Sequence, residues 1–173
     1  MTRDIIAEGK HIRLVRVGKW EFAERCQASG VVCIVAVTDE NRLLLVEQFR
    51  PPVGKRVVEL PAGLAGDTRD FEGELLAQAA KRELCEETGY TAESLVELGT
   101  FASSAGLTNE TVTFFAARLL KKTGDRGGDE SEDITDHEID MDDVDRWLKK
   151  AAANDRLIDA RVYTGLYLWK SMF

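Results

Sequence analysis

The stretch that most constrains this chain is Leu75–Tyr90, LLAQAAKRELCEETGY. It holds no glycine or proline before Gly89 and is rich in Leu, Ala, Glu, Lys, Arg and Gln. That composition predicts one helix over 75–88, about four turns long. Gly89 ends it, because glycine readily takes the left-handed conformation that caps the last carbonyls, and Tyr90 supplies an apolar residue to fold back on the final turn. At about 3.6 residues per turn, Leu76, Ala79 and Ala80 share a sector with Glu83, Glu86 and Glu87. The stripe begins apolar and ends acidic. A solvated charge run would lie opposite the apolar stripe, so these three carboxylates are expected to line a cleft at the C-terminal end of the helix, where the dipole is also negative. Such a cluster calls for cations, and hard carboxylate oxygens suit Mg²⁺ or Mn²⁺. On charge pattern alone, the alternative is an ordinary acidic helix end.

With Glu74, Arg82, Glu83, Leu84, Glu86, Glu87, Gly89 and Tyr90 at these mutual spacings, the segment resembles the signature of the Nudix hydrolases. One element departs from it. The glycine of Pro61-Ala62-Gly63 should stand six residues before Glu74 and stands eleven before it, as though about five residues were inserted within 65–71. An insertion ahead of the helix alters a loop and leaves the acids' spacing intact. The resemblance implies an α/β fold, the Nudix α/β/α sandwich with a mixed central sheet, here with an N-terminal β-hairpin. It also implies metal ligands at Glu83, Glu86, Glu87 and the carbonyl of Ala62, which is expected in a tight turn.

The likeness continues beyond the signature. Glu47-Gln48-Phe49-Arg50-Pro51-Pro52 and Ile158-Asp159-Ala160-Arg161-Val162-Tyr163 resemble runs in ADP-ribose pyrophosphatases. Prolines end a strand here and leave Arg50 at its mouth, where a guanidinium can grip phosphate oxygens in bidentate fashion. Arg56 is a second, less well placed cation. The resemblance puts Glu59 close to the ligand and Glu110 beside the terminal ribose and phosphate, in the small-residue loop over 103–110. It puts Trp20 where that group has a base-stacking aromatic; a core or dimer-contact aromatic is the competing reading. His11 falls where some members carry another aromatic, and otherwise reads as a surface strand residue. The resemblance also implies a general base, Glu130 or Glu132, on the acidic loop before Ile134, a stretch whose composition by itself reads only as a loop. The catalytic set implied is therefore Glu130 or Glu132 with Glu83 and Glu87, acting with Mg²⁺, or Mn²⁺, on a nucleoside diphosphate sugar. ADP-ribose, split to AMP and ribose 5-phosphate, leads. The alternatives are GDP-mannose or a broad range of such sugars, a nucleoside triphosphate, or a non-catalytic nucleotide-sugar sensor.

Patterning supplies the remaining elements. Ile5 to Arg16 alternates as one strand and Trp20 to Arg25 as another, with Gly18-Lys19 between them. Val31–Val37 and Arg42–Phe49 are apolar runs fit for buried strands in the middle of a sheet. Val57–Leu60, Ser94–Ala102, Thr111–Leu120 and Ile134–Ile139 read as strands; Asp142–Ala153, capped by Asp140 or Asp142, and Asp159–Phe173 read as helices. With 173 residues, 44% hydrophobic and 31% charged, the chain is expected to form one catalytic domain over 31–173 behind a hairpin over 1–30. A net charge of −8 disfavours a nucleic-acid partner. Cys26, Cys33 and Cys85 are odd in number and widely spaced, which indicates buried thiols in a reducing cytoplasm rather than disulfides or zinc. No apolar run approaches the ~18 residues of a membrane span. Homodimerisation through the N-terminal strands is what the resemblance implies.

Overall fold

Strand β4 (Gly30–Ala36) is buried along nearly its whole length, which explains its unbroken apolar sequence. Its odd-numbered residues Val31, Cys33 and Val35 join one core and its even-numbered residues Val32 and Ile34 join another. The alternation of side chains along a strand thus makes β4 the partition between two hydrophobic layers. Helix α1 (Leu76–Thr88) contributes Ala79, Ala80 and Leu84 to the even-side core. Helices α2 (Val144–Ala153) and α3 (Ala160–Met172) supply Val144, Leu148, Val162 and Leu166 to the odd side. The result is the expected α/β/α layering. The computed structural model describes residues 2–66, 73–124 and 133–172.

The mixed sheet is split into two four-stranded sheets. One runs β7 (Ala62–Ala65), β4, β9 (Thr111–Lys122), β8 (Tyr90–Ala102), with β4 and β9 parallel. The other runs β10 (Thr135–Asp140), β5 (Arg42–Arg50), β6 (Lys55–Glu59), β11 (Leu157–Ile158), with β11 and β6 parallel. The two apolar runs expected to share the middle of one sheet are therefore inner strands of different sheets. They touch through a bridge between Val37 and Leu43. Strand β11 has only two residues, too short for a periodic signal.

The N-terminal segment forms a three-stranded antiparallel sheet, β1 (Arg3–Glu8), β2 (Ile12–Val17) and β3 (Trp20–Arg25). The β2–β3 hairpin turns at Gly18-Lys19 as expected, but the single strand expected from Ile5 to Arg16 is two strands, broken around Gly9, whose amide donates to the Ile12 carbonyl at 2.8 Å. Strand β3 is fastened to the 103–110 loop: the Ala23 amide donates to the Leu107 carbonyl at 2.8 Å, and Ala23 bridges Thr108. Ahead of α2, Asp143 holds the position before the helix without a side-chain cap, while Asp140 accepts the Asp142 amide at 2.9 Å, so neither aspartate expected as a cap serves as one. Cys33 is buried, whereas Cys26 and Cys85 are partly exposed, contrary to the expectation of three buried thiols. Among the described residues no helix is long and apolar enough to cross a membrane.

Candidate active site

A cleft of about 1040 Å³ opens between the two four-stranded sheets. One wall is the end of α1, with Arg82, Glu83, Glu86 and Glu87. Gly89 closes that helix as expected, with φ 71° and its amide donating to the Cys85 carbonyl. The buried stripe Ala79, Ala80, Leu84 continues into Glu87, which is itself buried. The apolar face therefore does end in acid. The other wall carries Arg50 and Glu59 from β5 and β6 and Asp159 and Arg161 from the start of α3; Arg25, Phe101 and Glu110 also line the cleft.

Pro61-Ala62-Gly63 is not the tight turn expected. The chain bends at Pro61, whose carbonyl accepts the Ile34 amide at 2.8 Å, and enters β7 in register with β4, Cys33 opposite Ala62. This brings Ala62 and Gly63 against α1. The Ala62 amide donates to Glu87 Oε2 at 3.0 Å. The Glu83 carboxylate lies so close to the Gly63 backbone that a Cβ there would overlap all three carboxyl atoms. Glycine at position 63 is thus a steric requirement of the acid.

Arg82 organises the remaining acids. Its Nη1 donates to Glu83 at 2.8 Å and Glu86 at 2.9 Å, and its Nη2 to the Leu64 carbonyl at 2.9 Å and to Glu74 at 3.2 Å. Burial alone would lower the Arg82 pKa, but Glu74 and Glu83 outweigh it and raise it. Among the described residues Glu87 is paired with no such cation. Desolvation, aided by the charges of Glu83 and Glu59, pushes its pKa up to about 8 against the opposing Ala62 hydrogen bond and the charge of Arg50. Among the described residues no three acids are already gathered as a metal cage. Glu83 and Glu86 turn onto Arg82, and Glu87 turns onto Ala62. The donor set nevertheless fits a hard divalent cation: carboxylates on one helix end, a glycine cradle, and a buried acid short of positive charge.

Of the residues expected at the site, Arg50, Glu59, Ala62, Glu83, Glu86, Glu87 and Glu110 do line this cleft. Trp20 does not; it stands 60% exposed on β3. His11 lies in the exposed turn before β2. Arg56 faces away, onto Glu47 at 2.7 Å and Asp133 at 2.6 Å. Glu130 and Glu132 lie outside the described residues. Sequence reasoning gave no role to Arg25, which pairs with Glu110, or to Asp159 and Arg161. The Asp-Ala-Arg run was visible, but its partners are remote in the chain. Phe101, packed edge-on to Phe114 with centroids 5.6 Å apart, was likewise missed.

Residues 28–162 match the NUDIX domain. The chain belongs to the NUDIX family. Among similar proteins of this family, the Bacillus subtilis ADP-ribose pyrophosphatase is 38% identical over 128 residues, 73% of this chain and 66% of that protein. A Bacillus methanolicus methanol dehydrogenase activator is 37% identical over 139 residues, 80% of this chain and 72% of its own length. The likeness to ADP-ribose pyrophosphatases read from Gln48–Pro52 thus extends over most of the chain. In fold, this NUDIX protein resembles an ADP compounds hydrolase seen in a crystal structure, with TM-score 0.73 and 20% identity over 99% of this chain and 91% of the other.

Proposed function

We propose that this NUDIX protein is a pyrophosphohydrolase of nucleoside diphosphate sugars, with ADP-ribose as first substrate and AMP and ribose 5-phosphate as products. The observation that carries the reading is the charge arrangement of the cleft: an acidic helix end seated on Gly63, with Arg50 on the other wall. Arg50 uses only Nε, donated to Glu59 at 2.8 Å, so among the described residues its two terminal amino groups are unengaged. They suit a bidentate grip on the diphosphate. The names of the Bacillus subtilis relative and of a mouse ADP-sugar pyrophosphatase, 34% identical over 109 residues, support the substrate class.

Glu83, Glu86 and Glu87, with the Ala62 carbonyl, would hold Mg²⁺ or Mn²⁺. The metal would neutralise the diphosphate and polarise a phosphoryl group. With that cation in place of the Glu87 proton, Glu83 and Glu87 would present anionic oxygens to that end of the cleft, and Glu130 or Glu132 takes the proton from the attacking water. Glu110 holds the substrate's polar groups, and Glu59 lies close to the ligand behind the Arg50 it binds. Trp20 stacks on the base from a second copy of the chain. This fits its exposure outside the cleft and the exposure of Ile5, Ile6 and Ile12 on the same sheet, the surface we assign to a homodimer. Three unpaired thiols fit a reducing cytoplasm.

Phosphorus NMR of the protein with ADP-ribose, GDP-mannose and ATP, with Mg²⁺ and then with chelator, tests the proposal. The expected result is Mg²⁺-dependent release of AMP and ribose 5-phosphate, fastest from ADP-ribose, and loss of most turnover in Glu83→Gln without loss of fold. Full activity in Glu83→Gln, or intact diphosphates despite binding, would overturn it.

A further inference from the structure

Arg161 occupies an unusual place. It is a cation in the first turn of α3, where the helix dipole is positive and favours anions. Something other than helix stability accounts for it. Asp159, just before the helix, accepts the Arg161 amide on Oδ1 at 2.7 Å and binds its guanidinium on Oδ2, at 3.0 Å from Nε and 2.6 Å from Nη2. Burial alone would raise the Asp159 pKa, but the Arg161 guanidinium lowers it on balance, so the aspartate stays ionised. Nη2 of Arg161 also reaches Glu59 Oε1 at 3.0 Å, and Glu59 Oε2 accepts Arg50 Nε at 2.8 Å. The Glu59 side chain is only 5% exposed, against 42% for that of Arg50.

Asp159, Arg161, Glu59 and Arg50 therefore form one chain of charge-assisted bonds running from the partly exposed start of α3, through the buried Glu59, to an exposed cleft cation. The helix cannot drift from this register. One turn beyond Arg161, Gly165 lies so close to the sheet that a Cβ would come within 2.6 Å of Leu60 and 2.8 Å of Val35. We propose that Arg161 is a positioning residue: through the two-sided carboxylate of Glu59 it fixes the orientation of Arg50, so that the terminal amino groups of Arg50 meet the substrate diphosphate already aligned. Without Arg161, Glu59 would keep one cation instead of two, and its free oxygen would let both Glu59 and Arg50 rotate. The inference rests on the hydrolase reading for its kinetic consequence but not for its structural one, and the two are separable.

The test uses Arg161→Met, Arg161→Lys, Arg50→Met and the double variant Arg50→Met/Arg161→Met. In nitrogen–proton spectra, the Arg50 Nε–Hε signal is identified by its loss in Arg50→Met. Its hydrogen exchange should quicken about tenfold in Arg161→Met, the loss of one charge-assisted bond. In turnover of ADP-ribose, Arg161→Met should raise KM about tenfold with kcat nearly unchanged, and should add nothing in the Arg50→Met background, since coupled residues are non-additive. Arg161→Lys, which keeps the charge but lacks the planar fork, should recover only part of the effect. Unchanged Arg50 exchange in folded Arg161→Met, or effects of the two substitutions that multiply, would overturn the proposal. If Arg161→Met does not fold, the same exchange measurement on Arg161→Lys decides it. Faster Arg50 exchange in a protein that hydrolyses no diphosphate would refute the hydrolase reading and uphold the positioning role.

Discussion

Glu87 gives the sharpest prediction, because its burial should make the metal-free protein lose stability as pH rises. Its folded pKa of about 8 stands above the ordinary 4.5, raised first by desolvation. The folded state therefore holds a proton that the unfolded chain releases. The stabilisation is fully present below pH 4.5 and is lost as pH climbs through 8. At the usual cost of a pKa unit, flattening near the folded pKa, Glu87 should remove on the order of 2 to 3 kcal/mol between pH 5.5 and 7.5. Glu87→Gln nearly conserves volume, can still accept the Ala62 amide, and does not titrate. Urea unfolding in the presence of chelator, at several pH values across this window, should show wild type falling relative to Glu87→Gln by that amount. Adding Mg²⁺ at pH 7.5 should return wild type's loss, since a cation binding the ionised acid substitutes for the proton. Parallel pH profiles for the two proteins would refute the argument that Glu87 is buried short of positive charge.

Gly63→Ala should cut kcat by about 100-fold while shifting Tm little, because the added Cβ displaces the Glu83 carboxylate rather than core packing; kinetics beside thermal melts read both. Arg82→Met removes the cation shared by Glu74, Glu83 and Glu86 and should cost about 3 kcal/mol in urea unfolding without metal. Mg²⁺ should recover part of that cost, since it can bind the acids left unpaired.

Much of the fold follows from local chemistry. The limits of α1, the stop at Gly89 and strands β4, β5, β9 and β10 come from side-chain period and from glycine, which act within a few residues. The acidic stripe was legible for the same reason: helical spacing alone places Glu83 and Glu87 beyond Ala79 and Ala80 on one face. The failures have another origin. Pro61-Ala62-Gly63 suggests a turn, yet Ala62–Ala65 form β7 because β4 offers them a strand edge. The two-residue β11 was invisible because it is decided by pairing with β6, a hundred residues away in the chain, whereas the break around Gly9 is a local turn closed by the Gly9–Ile12 bond within a run that alternates on both sides of it. The split into two sheets is likewise a matter of which strands pair, and strand patterning does not encode partners.

The sequence by itself determined the kind of chemistry: an acidic helix end, a strand-end arginine, and the small residues that let backbone and carboxylate meet. Tertiary structure decided what those groups do to one another. It buried Glu87 and raised its pKa, pressed Glu83 onto Gly63, and turned Arg56 away from the cleft while bringing Arg161 to Glu59 across 102 residues of chain. The physical reason is range. Backbone preference and side-chain period act over a turn or two of chain, whereas desolvation, steric contact and charge pairing depend on distance in space, which exists only once the two sheets and α3 have packed.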